Sequence, residues 1–168
     1  ASERIGRIEQ SLRALLPDWG LRPLVQALQA LRGVQWVAAM TLVAELQDFL
    51  RFEHPRQLMA YLGLVPGEYS SGGKRRQFSI TKAGNSAARR MLVEVAWHYL
   101  HEPRVSPIIA RRHDSLPKPV TDIAWAAQLR LTAKFKRLLA RKLMKTKATV
   151  AVARELAGVM RFDPGGAG

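Results

Sequence analysis

The chain reads as mainly α-helical: a compact multi-helix domain with a helix-hairpin-helix-like unit and one short β-hairpin, preceded by coiled-coil-type helices. Three observations predict this. Apolar residues recur at helical spacing over most of the 168 residues, proline and Asn or Ser punctuate the starts of the periodic runs, and strand-like alternation is confined to the residues flanking Gly72-Gly73.

Ile5, Ile8, Leu12, Leu15 and Trp19 occupy a and d positions of a heptad, and beyond Pro17 and Pro23 a second run carries Leu21, Leu24, Leu28 and Leu31. These stripes form either a coiled-coil end or helical hairpin, or they pack back on the domain. Leu31 to Leu46 reads as a helix-hairpin-helix unit, in which a tight glycine turn exposes backbone amides to a DNA phosphate. Only Gly33 is kept of the usual glycine-rich turn, so a plain αα corner is the other reading. Phe49 and Phe52 lead to His54-Pro55, a helix start, and Gly63 is the matching stop, which puts Leu58, Met59 and Leu62 in the core.

Alternation on both sides of Gly72-Gly73 predicts a hairpin carrying Ser71 at its tip. Gly84-Asn85-Ser86 then caps a helix running to about Leu100, with Arg89 and Arg90 near its start. Ser106-Pro107 and Lys118-Pro119 open two more helices, the second running through Arg141. On that long helix Trp125, Leu129, Thr132 or Ala133, and Lys136 share one period and are expected to pack. Arg130, Lys134, Arg137 and Arg141 share another and are expected to face phosphate. A last helix from about Thr146 to Phe162 has small residues suited to close packing. The expected organisation is a connector over 1–30, a domain over 31–162 and a disordered tail over 163–168.

Charge is the strongest compositional statement. Lys and Arg number 27 against 13 Asp and Glu, a net charge of +14, and the isoelectric point is near 11.2. Such an excess favours polyanions through phosphate neutralisation and counterion release. From Arg104 to Lys147 the only acids besides twelve cations are Asp114 and Asp122, so the basic second half is expected to face nucleic acid. No cysteine is present, which excludes disulfides and thiolate metal sites. No apolar run approaches the ~20 residues of a membrane span, and a soluble cytoplasmic protein without membrane contact is expected.

The segment from Gly63 to Asn85 concentrates hydroxyls, glycines and cations. A seryl oxygen attacking phosphorus needs close backbone approach, which glycine allows, and cations to stabilise the charge that builds on the phosphate oxygens. Ser71 precedes two glycines, and Lys74, Arg75, Arg76 and Lys82 follow. If the hairpin folds over the start of the next helix, Ser71, Lys82 and Arg89 converge on one phosphate. The alternative is that Ser-Gly-Gly-Lys is only hairpin punctuation. Glu94, His98 and His101 have the spacing of a helical metal site but read as ordinary residues of an amphipathic helix, with either histidine able to serve as a general base. No metal site is assigned to this chain.

Four motifs carry a family resemblance. Tyr61-Leu62-Gly63-Leu64-Val65-Pro66, Tyr69-Ser70-Ser71-Gly72-Gly73-Lys74-Arg75-Arg76, Ile80-Thr81-Lys82-Ala83-Gly84-Asn85 and Ala88-Arg89-Arg90-Met91-Leu92 together resemble the C-terminal domain of the serine-containing insertion-sequence transposases of the IS-one-ten type. Asp122 to Leu131, Leu138 to Arg141 and Val150 to Leu156 are similar to that family as well. The resemblance implies a bacterial, nucleoid-associated recombinase guided to donor and target DNA by a structured RNA that the element encodes. It implies a serine nucleophile at Ser71, with Ser70 as the fallback, and a homo-oligomer, dimer or tetramer. It also implies a resolvase-like N-terminal domain whose carboxylates bind a divalent metal such as magnesium. That domain is absent from this stretch of sequence, so no cofactor is expected on it and its isolated activity is expected to be incomplete.

Two functional classes follow. In one, Ser71 attacks a DNA phosphate while Lys74, Arg75, Arg76, Lys82, Arg89 and Arg90 position the strand, with Arg130, Lys134, Arg137 and Arg141 holding nucleic acid elsewhere. In the other, the chain is a non-catalytic basic module whose Ser-Gly-Gly loop only touches phosphate.

Overall fold

The computed structural model describes residues 3–4, 6–7, 10, 22–47, 49–64, 66–71, 74–80 and 84–161, with the backbone alone described at 50, 66–71 and 74–80. The first heptad run, Leu21, Lys82 and the tail expected over 163–168 lie outside these residues. The described chain is mainly helical. Its α-helices are α1 (Arg22–Leu28), α2 (Trp36–Leu46), α3 (Pro55–Tyr61), α4 (Ser86–Ala96), α5 (Pro107–His113), α6 (Lys118–Ala140) and α7 (Lys145–Val159). Strands β1 (Pro66–Ser71) and β2 (Lys74–Ile80) pair antiparallel between α3 and α4.

Helix ends follow local chemistry. The Asn85 side chain accepts the Ala88 N–H at 3.0 Å and Ser106 Oγ accepts that of Ile109 at 3.2 Å, each satisfying a first-turn donor. At α3 the cap is a histidine: His54 Nδ1 accepts the Arg56 N–H at 3.1 Å, with Pro55 in the first turn. The far end of α3 closes as a Schellman motif, the Gly63 N–H donating to the Ala60 carbonyl and the Leu64 N–H to that of Met59. Gly63 has φ of 69°, a conformation glycine adopts without strain.

α7 is the helix around which the body is built. It packs on α3, α4 and α6, while α4 also packs on α2, and α2 on α1. Its buried face is mostly small, Ala148, Thr149, Val152, Ala153, Leu156 and Ala157, so neighbouring backbones approach closely. Leu92, Leu131, Phe135 and Leu156 are inaccessible, and burying each stabilises the fold by about 1.5–3 kcal/mol relative to leaving it exposed.

Three sequence expectations shift. Val25, Ala27, Leu28 and Ala30 are buried in the same core as the later helices, so the packed unit extends across the boundary expected at residue 30. In the second apolar run, Leu28 and Leu31 are core residues and Leu24 packs against them, which is the packing-back alternative. On α6 the face expected to pack is buried only in part: Thr132 is 2% exposed, but Trp125 and Leu129 are 39% and 45% exposed. The buried stripe is Val120, Ala124, Ala127, Gln128, Leu131, Thr132 and Phe135. Both stripes are helical and apolar. The one that meets α7 and the turn Trp97–Leu100 is the one buried.

Candidate functional site

The hairpin rises from two fixed feet. At the first, the Schellman motif turns the chain out of α3 and Leu64 is fully buried. At the second, Gly84 lies against Tyr61: a Cβ on Gly84 would sit 1.8 Å from the Tyr61 carbonyl oxygen, and φ there is 88°. The Asn85 N–H donates to that same carbonyl at 3.0 Å. Asn85 also donates from its side chain to Glu45 Oε2 at 2.7 Å, tying the start of α4 to the end of α2. Beside this junction the Arg51 guanidinium lies over the rings of Phe52 and Tyr61, 4.6 and 5.1 Å from their centroids. Gly84 and Asn85, which the sequence marks only as a helix cap, therefore also hold the base of the hairpin.

Between the feet the register is defined. Ser71 pairs with Lys74, Ser70 with Arg75, Tyr69 with Arg76 and Glu68 with Gln77, and an irregularity lies between Pro66 and Glu68. Cross-strand partners lie on one face of a ribbon and successive pairs alternate faces. Ser71, Lys74, Tyr69 and Arg76 thus share one face, and Ser70, Arg75, Glu68 and Gln77 share the other. The Ser71 face holds two cations and no acid, whereas the Ser70 face holds one of each. From Pro66 to Ser71 a strand extends roughly 17 Å at about 3.3 Å per residue. Arg89 donates to the Leu62 carbonyl at 3.3 Å, and Arg90 is exposed.

The cations expected along α6 divide into two pairs. Arg130 and Lys134 both meet Glu155 of α7, at 3.6 and 3.1 Å. Arg137 and Arg141 are exposed and carry no ion pair among the described residues. Lys136, expected on the packing face, pairs with Glu102.

Other arginines, absent from the sequence-level candidates, brace the body. Arg32 donates to the Glu102 carbonyl and, at 3.0 Å, to Gln128 Oε1, which also accepts the Arg104 N–H at 2.6 Å. Gln128 is 3% exposed, so this network satisfies a buried amide. Arg112 donates to the Val34 carbonyl at 3.1 Å, and burial lowers its pKa from the ordinary value. His113 Nε2 lies 3.1 Å from the Ala30 carbonyl, and Arg161 donates to the carbonyls of Phe52 and Glu53. The partners are backbone carbonyls up to a hundred and nine residues away in sequence, which no local pattern signals.

Among the described residues no three or more His, Cys, Asp or Glu side chains gather as a possible metal site, so Glu94, His98 and His101 do not form one. His98 instead closes a groove of about 290 Å³ between α2 and α4, together with Gly33, Gln35, Val37, Ala38, Met91, Glu94 and Val95. The groove lies at the end of α2 and α4 away from the Glu45–Asn85 contact. A Cβ on Gly33, whose φ is 84°, would be 2.7 Å from His98 Cδ2. The His98 pKa is lowered, first by burial and then by the charges of Arg32 and His101. Burial raises that of the Tyr99 phenol, whose hydroxyl has no hydrogen-bond partner among the described residues, while the Arg32 charge lowers it. No helix of the described residues is long and apolar enough to cross a membrane.

Residues 25–113 match the family described as Transposase IS116/IS110/IS902 family. The chain belongs to this transposase family. It is 49% identical over 153 residues to y4qE of Sinorhizobium fredii, named as a transposase, covering 91% of this chain and 39% of that protein. It is 35% identical over 94 residues to the transposase for insertion sequence element IS1111A of Coxiella burnetii, 56% of this chain and 25% of that protein. The transposase for element IS1533 of Leptospira borgpetersenii is 27% identical over 137 residues, 81% of this chain and 40% of that protein. The chain thus spans well under half the length of these relatives. Within the transposase-family match lie the hairpin, both its feet, α4 and α5, whereas α6 and α7 follow it.

Proposed function

We propose that this chain carries the strand-cleaving serine of a DNA transposase for an insertion sequence. Ser71 Oγ loses its proton and attacks a DNA phosphate, forming a phosphoserine bond as one bridging P–O bond breaks and the departing sugar oxygen takes up a proton. Reversal of that step on a second strand end exchanges strands. Lys74 and Arg76 stabilise the charge on the phosphate oxygens, and Arg75, Lys82, Arg89 and Arg90 hold the strand nearby. The observation that carries this reading is the hairpin register within a transposase-family match: Ser71 shares its face of the ribbon with Lys74 and Arg76, and Ser70 shares its face with Glu68.

A seryl oxygen near two cations has its transition-state charge compensated, whereas an adjacent carboxylate opposes that charge. This supports Ser71 over Ser70. In this reading the site on DNA is chosen by base pairing with a structured RNA from the element, and the protein acts as a homo-oligomer at the bacterial nucleoid. The described residues do not fit a divalent metal, so no step here runs through one. Any such ion belongs to carboxylates elsewhere in the longer transposase.

The test is covalent trapping on a nicked suicide DNA substrate with the full-length transposase and its RNA. An adduct lost with Ser71→Ala and kept with Ser70→Ala is the expected result. Loss only with Ser70→Ala moves the nucleophile by one residue. The absence of any adduct while DNA and RNA still bind would make the chain a non-catalytic binding module.

A further inference from the structure

Five exposed cations of the helical body without an acidic partner among the described residues gather at one turn. α6 ends at Ala140 and α7 begins at Lys145. Around this reversal Arg137, Arg141, Lys142, Lys145 and Lys147 are all exposed, and none has an acidic partner among the described residues. The contrast with the first half of the same stripe is direct, since Glu155 neutralises Arg130 and Lys134.

Two local features of this turn oppose helix stability. Lys142 has φ of 64° at the position where the Lys142 N–H donates to the Leu139 carbonyl and the Leu143 N–H to that of Leu138. This is the Schellman site that glycine fills without strain, and a lysine there is held left-handed. Lys145 and Lys147 lie in the first turn of α7, where the positive end of the helix dipole disfavours cations, and no acid or side-chain cap compensates. An exposed turn that breaks two local rules to concentrate charge is where function is expected to override stability. Met144, 62% exposed at the crest, adds an apolar surface among the lysines.

We propose that the α6–α7 turn is a second nucleic-acid contact, gripping the phosphodiester backbone without reading sequence, and separate from the Ser71 hairpin. It rests on the reading of this chain as a nucleic-acid-handling protein, and names a surface that lies beyond the family-matched segment.

The test measures binding of the 168-residue chain to a DNA duplex and to an RNA hairpin, each of arbitrary sequence, across a potassium chloride series. Lys142→Gly, Arg141→Gln, Lys145→Gln and Lys147→Gln combined should flatten the slope of log affinity against log salt on the duplex by about 0.9 for each phosphate no longer neutralised, about 3 to 4 in all. A charge-matched control, Arg4→Gln, Arg7→Gln, Arg22→Gln and Arg56→Gln, should change it much less. Equal effects of the two sets would overturn the proposal. Lys142→Gly alone should raise Tm while weakening binding, and a rise in Tm with unchanged affinity would leave the turn a purely structural reversal, sinking the idea. A loss on both nucleic acids means a shared phosphate grip, and a loss on one alone assigns the turn to that partner. If the unmodified chain binds neither, the functional reading itself fails; if it binds and the two variant sets behave alike, only this inference does.

Discussion

The helical body and the hairpin use the same residue type in opposite ways. In the body, Arg32, Arg112 and Arg161 donate to backbone carbonyls far away in sequence, and Arg130 and Lys134 share one glutamate. On the hairpin, Lys74, Arg75 and Arg76 follow one another along a ribbon whose strand pairs with its own other strand. Net charge is therefore a poor map of phosphate contact. A cation that satisfies a carbonyl stabilises the fold, and one left on an exposed turn is available to a ligand.

The most severe way to break this contrast is at the junction of the two regions. Gly84→Ala places a Cβ against the Tyr61 carbonyl at a left-handed φ, and should cost about 3 kcal/mol or more. A large fall in Tm checks this, and a Tm within error of the parent would show that the hairpin foot is not where body and ribbon lock. Arg32→Ala is next. It strips the Glu102 carbonyl and Gln128 of a charged donor and should cost about 2 kcal/mol by denaturant titration. Lys74→Gln should cost no more than about 0.5 kcal/mol, yet lower strand cleavage by the full transposase about 100-fold. Equal losses of stability from Arg32→Ala and Lys74→Gln would erase the distinction between braced and displayed cations.

Smaller effects sharpen the picture inside the body. The fold disfavours His98 protonation, chiefly by burial, so its pKa is below the ordinary 6.5. The unfolded chain then binds the proton at higher pH, and stability is full above about 6.5 and declines as pH falls toward the folded value. Tm measured across mildly acidic pH should show this, and His98→Gln should flatten it. An unchanged slope in that variant would assign the effect to another group. Tyr99→Phe removes a buried hydroxyl without a partner among the described residues, and should leave stability within about 1 kcal/mol or raise it. A clear loss in calorimetry would mean that the hydroxyl is satisfied in solution.

Which parts were legible in advance follows from the range of the forces involved. The starts of α3, α4 and α5 were readable because His54-Pro55, Asn85 and Ser106-Pro107 act within one helical turn, as was the stop at Gly63. On α6 the apolar spacing alone could not choose between the Trp125–Leu129 stripe and the Leu131–Phe135 stripe, because both are helical and α7 decides which is covered. Ser71 and the cations after it stood out in the chain, but their division between faces depends on the strand register.

By itself, then, the sequence determined the helical class, the caps and stops, the strong positive charge and the serine-glycine-cation cluster, all of which rest on composition or on neighbours a few residues apart. Tertiary structure decided which cations are committed and which are displayed. The carbonyls that Arg32 and Arg161 reach lie about seventy and a hundred residues away, and Glu155 meets Arg130 and Lys134 only because α7 packs back along α6. Such pairings depend on distances in the folded chain, and no periodicity along it encodes them.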